Sequence, residues 1–404
     1  MSDTLDLGEA KRTAATFAIS QAFVGACAPI AISIGGLAGH YLLGADKTFA
    51  TLPVTGYNVG VALGALPAAM LMRAVGRRYG FSTGSLISSV GGALAALALI
   101  QHNFWFFVVA LAVLGVGGSF VQQYRFAAAD AAPAIFKPKA ISWVLGGGVF
   151  AAIIGPQAVI FTKDMLQPVS FAGAFISVVA LGIIGAGILM TLRTLPVPVE
   201  DANAPSGAER PMLEIISQPR FLIAFVCAVT TYALMSFVMT GAPLAMISCG
   251  HSLNDATLGI SWHVMAMFAP SFFTGRLIVR FGKEKIVATG LILLIGCAIV
   301  ALSGLALWQF WFALILLGVG WNFGFIGATA MLTDTYRPSE KNKIQGVHDF
   351  ALFTTVAIAS FASGATLNAY GWDMLNWIVL PVCALCLLVL LGQAFVVRRK
   401  SLAK

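Results

Sequence analysis

Charge is scarce in this chain. Asp, Glu, Lys and Arg make up 10% of its 404 residues, while 59% are hydrophobic. A soluble domain carries roughly 25% charged residues. So few charges cannot cover a water-facing surface on a chain this long, which excludes an ordinary soluble domain. Acidic residues are rarer still: no Asp or Glu stands in the middle of any long apolar run. The six cysteines, Cys27, Cys227, Cys249, Cys297, Cys383 and Cys386, have neither zinc nor disulfide-framework spacing. They read as small core residues, and no metal or cofactor site is expected. Nor is a cleavable signal peptide, because Lys11-Arg12 precedes an apolar stretch too long for a signal core.

What the chain does have is long apolar segments, near 14–43, 51–72, 79–100, 104–126, 140–162 and 169–192. Six more lie near 221–248, 256–279, 286–307, 309–333, 346–369 and 374–397. A membrane-spanning helix needs about 20 apolar residues, and a barrel strand only about 10 alternating ones. The expected fold is an all-α membrane protein of twelve transmembrane helices in two six-helix bundles. The halves are 1–192 and 221–404, with a polar linker at 193–220 that holds Pro196, Pro198, Glu200, Asp201, Pro205, Ser206, Gly207, Glu209 and Pro211.

The halves look like repeats. Phe104-Trp105-Phe106 returns as Phe310-Trp311-Phe312, and Leu114-Gly115-Val116-Gly117 as Leu317-Gly318-Val319-Gly320. Phe120 matches Phe323, Asp130 matches Asp334, and Gly76 with its basic neighbours matches Gly282. Repeated halves of this kind are a transporter signature. With both termini placed in the cytoplasm, only Lys47 and Lys163 of the 24 basic residues fall outside, the skew that membrane insertion produces. The net charge of +8 therefore reflects topology and not nucleic-acid binding. The expected partners are a small-molecule solute and the lipid bilayer, with the monomer as the working unit.

At these positions the chain resembles the major facilitator superfamily over essentially its whole length. The family's loop between helices 2 and 3 reads Gly-x-x-x-Asp-Arg-x-Gly-Arg-Arg. The first copy here ends Arg73-Ala74-Val75-Gly76-Arg77-Arg78, and the second runs from Gly275 through Arg280 and Gly282 to Lys283. The family Asp is Arg73 in one copy and Val279 in the other. That Asp usually belongs to a cytoplasmic latch, so the resemblance implies a swapped arrangement in which Asp349 pairs with Arg73 or Arg77. Two separately solvated charges are the alternative.

Gly146-Gly147-Gly148 and Gly155-Pro156 resemble part of the antiporter motif of drug exporters. Gln157 and Ala158 replace its trailing glycines, and Ala112 stands where the family carries a helix-4 Arg. Both gaps weaken an exporter reading, and close helix packing also explains the glycines. Three stretches, YRFAAADAAP, HVMAMFAPSFFTGRLI and GVGWNFGFIGATAMLTD, resemble a bacterial branch that includes riboflavin-uptake carriers. This implies an inner-membrane carrier working by alternating access.

Polar groups are costly in lipid, so those inside spans face a cavity or a partner helix. The candidates are Gln21, Tyr57, Asn58, Gln122, Gln123, Arg125, Gln157, Tyr232, Trp262, His263, Trp321 and Asn322. Amides, aromatics and one cation, without a mid-span acid, favour a neutral or anionic solute. Each amide or aromatic also serves as interhelical glue. Arg125 either contacts solute or snorkels to headgroups. His263 is either a proton carrier or a neutral, hydrogen-bonded histidine. An exporter of small organic compounds is the alternative within the class. A membrane-embedded enzyme needs a nucleophile with a base or paired acids, and the spans hold neither; a channel fits the repeated halves less well.

Overall fold

The computed structural model describes residues 7–44, 47–133, 135–193, 210–337 and 340–402. The greater part of the expected linker, 194–209, lies outside the described residues. Among the described residues every regular element is a helix. The early helices are α1 (Leu7–Phe23), α2 (Cys27–Leu42), α3 (Leu52–Ile100), α4 (Phe104–Val121), α5 (Tyr124–Asp130), α6 (Lys137–Thr162) and α7 (Ala172–Leu189). The late helices are α8 (Met212–Ile216), α9 (Pro219–Ser248), α10 (Leu253–Phe268), α11 (Ser271–Phe281), α12 (Lys283–Leu302), α13 (Leu307–Leu332) and α14 (Lys341–Leu402).

Nine helices or closely spaced helix pairs among the described residues are long and apolar enough to cross a membrane, or ten with the pair α10–α11, bent by 43°. Two of the nine are 49 and 62 residues long, α3 and α14. At about 1.5 Å per residue, 49 residues extend about 74 Å, against a hydrocarbon core of about 30 Å. Each is interrupted by a glycine with positive φ, Gly76 at 82° and Gly371 at 79°. Gly282, with φ 92°, makes the same interruption between α11 and α12. Nothing lies within 4 Å of where a side chain at Gly76 would begin. The backbone conformation, not crowding, requires glycine there.

Three segments expected to be single helices are broken instead. The first splits between α1 and α2, the fourth at Gln122-Gln123, and the eighth at Ala269-Pro270. Proline explains the last, since it cannot donate a backbone hydrogen bond. Asn322 on α13 repairs the damage. Its Nδ2 donates to Met267 O and to Ser271 Oγ, both at 2.7 Å, and its Oδ1 accepts from Thr274 Oγ1 at 2.6 Å.

The sequence repeat is visible in the packing. A side chain at Gly115 would run into the carbonyl of Tyr57, and one at Gly318 would run into the carbonyl of His263. Just past Gly76, Arg77 pairs with Asp130 at 2.6 Å; just past Gly282, Lys283 pairs with Asp334 at 2.6 Å. Asp334 also accepts from Arg220 at 2.8 Å. Partial burial raises the pKa of this carboxyl, but the two cations outweigh it and hold it below the ordinary value. The glycine run of α6 is a packing device, because a side chain at Gly147 would strike the backbone of Ala18 on α1.

Buried apolar side chains form three clusters. One runs from Ile215 to Leu390 and takes only Ala152 from the early helices. The other two have their buried members within 10–192. The outer faces stay apolar: Leu63, Leu66, Leu385 and Leu388 are each more than 60% exposed in mid-helix, as a lipid-facing surface requires.

Candidate functional site

A cavity of about 330 Å³ lies between the early and late helices. This is the lower end of the roughly 300–1,000 Å³ that small-molecule pockets occupy. The helix breaks gather round it. Gln21 and Gly25 flank the gap between α1 and α2, Gln122 and Gln123 form the gap between α4 and α5, and Phe268 ends α10; all five line the cavity. Broken helices free backbone and side-chain polar groups at depth, which is how transporter sites are commonly built.

The early helices bring a polar group of Gln21, Tyr57, Asn58, Gln122, Gln123 and Arg125, set among apolar residues such as Val24, Ile32, Val61 and Leu114. The late helices bring an aromatic cluster, beside Met235, Met239 and Met267. Tyr232 stands edge-on to Trp321 at 5.3 Å, to Phe325 at 5.1 Å and to Phe353 at 5.7 Å, and Trp321 stacks on Phe325 at 5.3 Å. Trp321 Nε1 and Arg125 Nε are buried N–H donors with no protein acceptor. Leaving such donors unpaired costs about 1–3 kcal/mol each, so both are available to a bound molecule. The Arg125 guanidinium sits 4.8 Å over the Phe126 ring.

Eight of the twelve sequence-expected binding residues therefore share one cavity: Gln21, Tyr57, Asn58, Gln122, Gln123, Arg125, Tyr232 and Trp321. Four lie elsewhere. Gln157 is half-buried outside the cavity lining, and Trp262 is 43% exposed on the outer face. Asn322 mends the α10–α11 break. His263 is buried, and its Nδ1 lies 2.8 Å from Leu314 O, tying α10 to α13.

Among the lining residues that carry no expectation of binding from the sequence are Gln345, Asp349, Phe325 and Phe353. The signal that finds them is spacing. Gln345, Asp349, Phe353 and Val356 follow one another at four, four and three positions, a single helix face. Asp349 places a carboxylate in a cavity that the sequence expects to hold none. It does not pair with Arg77, which holds Asp130, nor with Arg73 among the described residues; its Oδ1 meets His348 Nδ1 at 3.0 Å. Of the other residues expected at the latch, Gly76 and Gly282 form the turns, while Arg78, Gly275 and Arg280 lie on the helices beside them, Arg280 5.2 Å over the Phe281 ring.

The cavity is sealed on one side. Hydrogen bonds joining early to late helices are Thr55 Oγ1 to Ser360 Oγ at 3.4 Å, Asn368 Nδ2 to Thr48 Oγ1 at 3.3 Å and Ser261 Oγ to Ala152 O at 2.6 Å. Phe49 also stacks on Phe361 at 6.3 Å. All lie in the half of the bundle away from the chain ends. At the other end no ion pair among the described residues joins the two sets of helices, and Arg125, Phe126, Gln345 and Asp349 line the cavity there.

Residues 13–304 and 242–404 match the Major Facilitator Superfamily. The riboflavin transporter RfnT of Brucella anthropi is 49% identical over 96% of both chains. Two uncharacterised MFS-type transporters of Bacillus subtilis are more distant. YdeG is 31% identical over 88% of this chain and 84% of its own, and YddS is 29% identical over 91% and 87%. A central cavity between two sets of broken apolar helices agrees with these likenesses, and the chain is a multi-pass membrane transporter belonging to the major facilitator superfamily.

Proposed function

We propose that this protein is a secondary carrier that moves riboflavin, or a closely similar flat vitamin, by alternating access. The observation that carries the reading is a cavity that sets the amides Gln21, Asn58, Gln122 and Gln123 of the early helices across from the aromatic cluster Tyr232, Trp321, Phe325 and Phe353 of the late ones. A flat heteroaromatic solute stacks on Trp321 and Tyr232 while its polar edge meets the amides. The relative named as a riboflavin transporter supports the choice of solute. Breaks at Gly76, Gly282 and Gly371 support twelve spans: the ten apolar helices plus one more each from dividing α3 and α14. The separate apolar cores support two rigid halves, 1–192 and 221–404.

The protein works as a monomer in the bacterial inner membrane, with both termini in the cytoplasm, and the described conformation then faces inward. The loops support this orientation, because Lys47 and Lys163 are the basic residues at the opposite end. The buried place of His263, away from the cavity, supports transport down the solute's own gradient. The test is uptake of radiolabelled riboflavin into proteoliposomes, with and without an imposed pH gradient. Saturable uptake that unlabelled riboflavin competes away is expected in both conditions. Uptake no greater than in protein-free vesicles would overturn the carrier reading for this solute.

A further inference from the structure

Two opposite charges face the cavity from different sets of helices. Arg125 comes from α5 among the early helices and Asp349 from α14 among the late ones. Both line the same cavity, yet they form no direct ion pair. A bare anion entering here meets Asp349, and a bare cation meets Arg125. The site thus suits a neutral molecule that offers an acceptor to one side and a donor to the other. Arg125 only donates, and Asp349, when ionised, only accepts. His348 Nδ1 lies 3.0 Å from Asp349 Oδ1. Trp321 Nε1 adds a second unpaired donor, and Gln122, Gln123 and Gln345 line the same cavity.

We propose that Arg125 and Asp349 together read the imide edge of a planar heterocycle, a ring N–H flanked by carbonyls. Arg125 donates to a ring carbonyl, and Asp349 accepts the ring N–H. This inference rests on the carrier reading above and assigns its recognition to two residues. The solute's polar edge then ties the early helices to the late ones. Binding is therefore coupled to closure, because the full contact set exists only when both walls engage one molecule.

The experiment compares riboflavin with 3-methylriboflavin, in which a methyl group replaces the imide N–H. Binding to the purified full-length protein is followed by quenching of flavin fluorescence, in wild type, Asp349→Ala and Arg125→Lys. In wild type the methylated flavin is expected to bind at least about tenfold more weakly, because hydrogen bonds to charged groups are among the stronger ones. In Asp349→Ala the two flavins are expected to bind alike. Arg125→Lys keeps the charge but loses the planar fork, so both flavins weaken while their ratio is retained. Equal binding of the two flavins by wild type would overturn the inference and leave the carrier reading standing. A ratio that survives Asp349→Ala in a protein with unchanged melting temperature would do the same. No binding of either flavin would overturn both. The wild-type comparison needs no variant to fold.

Discussion

The early and late helices share a scaffold and differ in their cavity walls. Both sets have a glycine with positive φ at the turn, a basic residue just past it and an aspartate to hold that residue, Asp130 or Asp334. Both pack a glycine against a neighbouring backbone at matching positions, Gly115 and Gly318. Yet Tyr57, whose carbonyl meets Gly115, lines the cavity, whereas His263, whose carbonyl meets Gly318, is sealed in the core. The early helices contribute four amides and a guanidinium to the cavity, the late ones an aromatic cluster and a carboxylate, each among apolar neighbours. The repeat preserves what turns and packing require, and recognition is written in the positions where the copies diverge.

The largest expected effect tests the walls. Trp321→Ala removes the stacking platform and should weaken riboflavin binding about tenfold, since an aromatic pair is worth about 0.5–1.5 kcal/mol beyond its buried area. Trp262→Ala, on the outer face, should leave binding within about twofold of wild type. Flavin titration of both proteins checks this, and equal losses would break the distinction between wall and outer face.

The next effect concerns the break in the late helices. Asn322→Ala leaves the Met267 carbonyl, Ser271 and Thr274 without their shared partner. Unpaired buried polar groups cost about 1–3 kcal/mol each, so the melting temperature should fall measurably in detergent. Unchanged melting would remove Asn322 from the account of the kink.

The smallest effect compares two ion pairs near the ends of the halves. Arg193 and Glu9 meet at 3.5 Å with both side chains exposed, and such pairs contribute about 0–1 kcal/mol. Arg210 instead grips Glu340 through Nε at 3.0 Å and Nη2 at 2.7 Å. The guanidinium, with backbone N–H groups of Arg337 and Arg210, lowers the Glu340 pKa to about 2 against burial. A depressed carboxyl pKa stabilises the fold above the ordinary value near 4.5. That stabilisation drains away as pH falls towards 2. Glu340→Gln should therefore melt below wild type at pH 7, with the gap closing between about pH 4.5 and pH 2. Glu9→Gln should show little gap at any of these values.

Much of this was legible in the sequence because lipid imposes strong rules. Long apolar runs become helices, and polar residues inside them are few enough to notice. Gln21, Asn58, Arg125 and Trp321 stood out on that ground and do line the cavity. For Asn322 and His263 the sequence leaves a cavity role and an interhelical hydrogen bond both open, and the structure shows the hydrogen bond, because a polar group inside lipid serves a broken backbone or a neighbouring carbonyl as readily as a cavity. Gln345 carries no sequence signal, and Asp349 reads as a latch residue and not as a cavity residue, because both lie near a helix start, where polarity is ordinary. Phe325 and Phe353 went unnoticed because aromatics are common in apolar runs. The break at Gln122-Gln123 was not legible, since no proline marks it; the break between α1 and α2 carries a signal in Gly25 and Pro29 that the expectation of one continuous helix does not use.

The central claim is that one solute engages both walls at once. Riboflavin counterflow in proteoliposomes preloaded with unlabelled riboflavin tests it most directly, with one variant from each wall, Gln122→Ala and Trp321→Ala, at matched protein incorporation. The account predicts that each variant slows exchange, and that the pair together lose more than either alone. Exchange at the wild-type rate in either single variant would contradict it.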